Sequence, residues 1–172
     1  MTTAPNPMAT FKAAADHAAA AARLVLPVIA ATLHAQFPTG AHLVLSRSRS
    51  DEGGGLSLDS VRNADGTVLR NFDAGWASHV VVAANGSTWS QIVQPGMTPM
   101  PAAPSELASL WGDVDHRDPY ALVGLIARLD AQVPHGLFDP MPEEHLTDEE
   151  FEEQEDGGPS LLWLPLAPLP TL

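Results

Sequence analysis

The densest set of groups able to transfer protons or ligate a metal in the first 138 residues is Asp113-Val114-Asp115-His116-Arg117-Asp118. Alternating aspartates open a calcium loop. Such a loop then needs an oxygen ligand at its fifth position, glycine at its sixth and glutamate at its twelfth. Here those positions hold Arg117, Asp118 and Gly124, so the calcium-loop reading fails. Asp113, Asp115 and His116 remain as an alternative divalent-metal set, weighed against helix capping and solvation, which is the stronger reading.

The other reactive side chains form no better constellation. None of the seven histidines makes a His-x-x-x-His pair. Glu144, His145 and Glu149 could share one helix face, but an exposed acidic helix explains them more simply. His42 and His79 fall on predicted strands, where an imidazole is more often packed or solvated than a base. No Gly-x-Ser-x-Gly elbow is present. Gly53-Gly54-Gly55 runs into Leu56-Ser57 without the Lys-Ser/Thr of a phosphate loop. Asn85-Gly86-Ser87 matches a glycosylation acceptor and is better read as a turn. The chain has no cysteine, which excludes thiol catalysis, cysteine-ligated zinc and iron–sulfur clusters. No cofactor is called for, and a non-catalytic protein is preferred over an enzyme.

The elements that would carry these residues follow from periodicity. Residues 9–37 are helical: alanine supplies propensity, and Leu26, Ile29, Leu33 and Phe37 make one apolar stripe. Pro27 should kink or break that helix. Strands are predicted at 41–46, near Leu56 and Leu58, at 67–72, 79–84 and 87–93. Glycine turns at 51–55, Asn63-Ala64-Asp65-Gly66 and Asn85-Gly86 separate them. Ser105 should cap a short helix reaching Trp111. Asp118 at the N-cap and Pro119 at the first helical position should start a helix whose stripe runs through Leu122, Leu125, Ile126, Leu129 and Val133. Thr147 and Glu150 match a capping box, so 148–155 can form a short acidic helix. The four tryptophans read mostly as core residues, Trp163 being the exception.

The predicted fold is therefore α+β. An antiparallel meander of about five strands packs in two layers on a long N-terminal helix and a C-terminal helix. Residues 1–8 form a flexible N-terminus, 9–137 a single domain, and 138–172 an acidic segment with an apolar, proline-rich tip. A chain of 172 residues can bury enough surface to need neither disulfide nor metal.

Charge separates the two parts. Of 21 acids, ten lie in 139–156, where there is no Lys or Arg; the net charge of the chain is −13. Eight scattered cations do not make a surface for nucleic-acid phosphates. No run approaches the ~18 apolar residues of a membrane span. The first cation is Lys12, so a signal peptide is not read and a bacterial cytoplasmic protein is expected. Seven Arg against one Lys, with 26 Ala, point to a GC-rich genome such as an actinobacterial one.

Function is read as a protein-binding module of adaptor, inhibitor, immunity or chaperone type. Its partner would be a basic protein, met by Glu149, Glu150, Glu152 and Glu153 and anchored by Trp163 and Leu164. The alternatives are an enzyme with a divalent metal at Asp113, Asp115 and His116, and a structural protein that self-associates through the apolar tip.

Overall fold

A computed structural model describes residues 6–49, 55–75 and 77–170. Most of the glycine-rich turn at 51–55, including Gly53, and Trp76 lie outside the described residues, as does the side chain of His79. Helix α1 runs over Pro7–Gln36 without interruption at Pro27. Asn6 caps it, accepting from the Met8 amide at 3.0 Å. Its last turns, residues 29–33 and Gln36, are buried and its first turns, residues 7–17, are exposed throughout. Among the described residues α1 is long and apolar enough to cross a membrane by length and composition, but Ile29, Ala30 and Leu33 are buried in the core of this fold.

Three strands follow as a meander: β1 (His42–Arg47), β2 (Leu56–Arg62) and β3 (Val68–Asn71). Asn63 closes the β2–β3 turn by accepting from the Gly66 amide, and Gly66 takes the φ of +88° that this turn requires. Strands β4 (Ala77–Val82) and β5 (Thr88–Val93) pair only with each other, as a separate two-stranded sheet. The predicted five-strand run therefore divides into three strands and two. A short helix α2 (Ser105–Ala108) has Pro104 rather than Ser105 at its N-cap, and a 3-10 turn carries it on to Trp111. Helix α3 (Pro119–Asp130) starts where Asp118 and Pro119 predict, with the Asp118 carboxylate accepting from the Tyr120 amide at 2.9 Å.

The C-terminal segment departs most from expectation. Residues 138–172 read as an appendage with an apolar tip. In the structure the tip is strand β7 (Ser160–Pro165), hydrogen-bonded antiparallel to β1 along its whole length. A two-residue strand β6 (Asp139–Pro140) borders β7 on its other side, giving the order β3-β2-β1-β7-β6. The physical reason is burial: Leu162 and Leu164 face the main core, and Leu161 and Trp163 face the opposite side, so every second residue has an apolar layer to meet.

One face of this sheet packs on α1 and α3. Ile29, Leu33, Leu43, Leu45, Leu122 and Ile126 meet there. Trp111 closes the end of that core, its indole N–H donating to the Thr32 hydroxyl at 2.8 Å. Part of the other face is covered by helix α4 (Asp148–Glu155) and the 3-10 turn before it. Trp89 is exposed, so the tryptophans are not all core residues.

Candidate functional site

The second face of the sheet collects the polar groups that the main core cannot hold. Cross-strand pairing puts His42 opposite Arg62 and Val44 opposite both Ser60 and Trp163. A register shift after Val44 leaves Asp59 as the extra residue of a β-bulge. From there its carboxylate accepts from Arg62 Nη2 at 3.1 Å. Arg62 is 5% exposed, so its charge requires partners. Its Nε donates to Ser60 at 2.8 Å, and its two terminal nitrogens form a fork onto the Glu150 carboxylate, one of them at 3.2 Å.

Glu150 thus does two jobs. It closes the predicted capping box, its Oε2 accepting from the Thr147 amide at 2.9 Å, and it holds α4 to the sheet through Arg62. Partial burial on its own would raise the Glu150 carboxyl. The hydrogen bonds and charge of Arg62, with the Thr147 amide, outweigh it and hold the carboxyl below its ordinary value. Arg62 is held above its ordinary value, because Glu150 and Asp59 together outweigh the cost of its burial.

Beside this network three rings form a triangle. The centroid of His42 lies 5.4 Å from that of His145 and 5.7 Å from that of Trp163, and His145 lies 5.3 Å from Trp163. His42 is 2% exposed, and its Nε2 has no hydrogen-bond partner among the described residues. Burial, then His145 and Arg62, keep its imidazole below the ordinary value and therefore neutral near pH 7. An imidazole this enclosed meets no substrate, so it is not positioned as a general base. Between β1, β2 and α4 lies a cavity of about 260 Å³ lined by Ser46, Ser57, Asp59, Asp73, Glu150 and Glu153. Two of its four carboxylates, Asp59 and Glu150, are already bonded to Arg62.

The expected partner-binding residues separate into two groups. Glu149, Glu152 and Glu153 are exposed on α4, along with Phe151. Glu150 is turned inward onto Arg62, Leu164 is 8% exposed in the main core, and Trp163 is half-buried in the ring triangle. These three residues are structural: Glu150 is engaged by a buried cation, and β7 supplies the sheet with the other two.

The alternative metal set also comes apart. Asp115 accepts from the Arg117 amide at 2.9 Å, and His116 Nε2 accepts from the Ala103 amide at 3.2 Å. Among the described residues no group of three or more His, Asp or Glu side chains is arranged to hold a metal ion. The cluster shapes the loop before α3 instead: the His116 carbonyl accepts from Gln36 Nε2 at 3.0 Å, tying this loop to α1.

The bulge at Asp59 and the Arg62–Glu150 pair escaped the sequence reading. An arginine on a strand gives no signal of a partner 88 residues away. The only trace was the position of Glu150 in a capping box. No known family model, curated protein or solved structure matches the chain.

Proposed function

We propose that this chain is a non-catalytic protein-binding module that docks a basic protein on the outward face of α4. The observation that supports it is the unbalanced charge of one ordered segment. Of the ten acids in 139–156, Glu150 is the one in an ion pair among the described residues. The rest stand without a cation of their own, and the like charges of Asp148 and Glu152, and of Glu149 and Glu153, repel at i,i+4. A helix that bears such repulsion is held in place by its capping box and by Arg62, so its acids present a fixed array. Phe151, exposed among them, supplies the apolar contact that Trp163 was expected to make.

The test compares full-length protein with a variant carrying Glu149→Gln and Glu152→Gln, as bait in native lysate at low and high salt. The expected result is a discrete basic protein retained by the parent, lost by the variant and weakened by salt, since exposed charges are screened. Equal recovery by both baits would sink the reading.

A further inference from the structure

We propose that the β4–β5 hairpin is a self-association element that packs on the same hairpin of a second copy of this chain. The pairing register puts Ser78 and Ile92, Val80 and Ser90, and Val82 and Thr88 side by side on one face. On that face Val80, Val82 and Ile92 are 70%, 65% and 69% exposed. Across the ribbon Trp89 is exposed as well. A two-stranded ribbon is marginal in water unless a third strand or another layer covers it.

The composition of the segment says what covers it. Residues 74–105 contain no Asp, Glu, Lys or Arg, in a chain of net charge −13. Sheet edges that must stay unpaired are guarded by charges or proline, and β4 and β5 carry neither. A basic partner gains nothing from an uncharged face when α4 is available. An acidic copy of this chain is repelled everywhere charge accumulates, and this segment is where two copies can approach without charge against charge. The occupant must itself be apolar, uncharged and extended. Among the described strands the hairpin exposes its apolar side chains most strongly, Val80, Val82, Trp89 and Ile92, and a two-fold axis would bring it into register with its copy.

The root of the hairpin is fixed in advance. The Arg70 guanidinium donates to the carbonyls of Gly96 and Thr98, and the Tyr120 hydroxyl donates to Gln94 at 3.1 Å. Gly96 sits so close to Phe72 that a Cβ there would lie 2.3 Å from the Phe72 carbonyl oxygen. A ribbon held at its base loses little freedom on docking.

Sedimentation equilibrium of the full chain from about 1 µM to about 300 µM reads the outcome, a range suited to a small interface. Twice the monomer mass is expected at the upper end, reverting to monomer in Val80→Arg and Ile92→Arg. Both positions are exposed in the single chain, so the thermal midpoint of each variant should match the parent. Should an arginine variant misfold, the absence of cysteine allows a second assay. Under mild oxidation Ser90→Cys should cross-link into dimers, and Leu24→Cys on the exposed side of α1 should not. Added salt should strengthen this association, because it screens two acidic bodies, whereas it weakens capture by α4. A parent that stays monomeric throughout, a dimer that survives Val80→Arg, or equal cross-linking of both thiols would overturn the proposal and leave the α4 reading untouched.

Discussion

His42 places an imidazole against Trp163 and His145, with Arg62 acting on it and no hydrogen-bond partner for Nε2 among the described residues. Its folded-state pKa is lowered, so the unfolded chain takes a proton first as pH falls. Above the ordinary value of 6.5 the residue is neutral in both states and has no effect on stability. Below it, stability is lost progressively until the lowered folded value is reached. His42→Leu should therefore flatten the fall in urea midpoint as the pH drops below about 6.5. Parallel pH profiles for parent and variant would show that the ring is proton-accessible after all.

At the scale of elements, the helix starts and the tight turns are governed by a few local residues. The Asp118 cap on α3 is one such feature, and Asp118→Ala should cost about 1 kcal/mol, read as a lower denaturation midpoint with unchanged slope. An unchanged midpoint would mean that the Tyr120 amide is equally well served by water. Local signals of this kind made α1, α3, α4 and the turns at Gly66 and Gly86 legible in the sequence, both glycines taking positive φ. Of the kink or break expected at Pro27, the break does not occur, because α1 continues through it. Strand β7 was misread for a different reason. Leu161-Leu162-Trp163-Leu164 does not alternate, which is what a strand covered on both faces looks like. After ten acids and beside Pro159 and Pro165 the same run resembled a loose tip. The candidate site was drawn from the same run: Leu164 packs in the main core, Glu150 is turned onto Arg62, and Trp163 is half-buried in the ring triangle.

For the whole molecule, what matters is that the sheet is closed by a strand distant in sequence. β7 lies between β1 and β6, and Leu162 and Leu164 belong to the main core. Residues 1–138 alone should therefore lack a cooperative thermal transition and bind hydrophobic dyes, as chains that lose central packing do. A sharp transition near that of the full chain would show the sheet to be self-sufficient without β7. It follows that truncation cannot separate a partner-binding role of the acidic segment from its part in the fold, and only exposed α4 positions can. No local pattern reported this closure, because pairing between residues 42–47 and 160–165 is a property of the folded chain rather than of either segment.

The position of β7 also sets a clock on biosynthesis. A ribosome adds roughly 5–20 residues per second, so on the order of ten seconds separate the emergence of β1 from that of the strand that seats beside it. Throughout that interval the edge of β1 that will receive β7 is open on the nascent chain, carrying Leu43, Val44 and Leu45. Helix α1 and the β2–β3 hairpin can collapse onto one face during translation, but this flank stays unpaired until residue 165 is free. Slow codons between positions 48 and 160 would lengthen that exposure, during which the nascent chain presents an open strand edge to its neighbours.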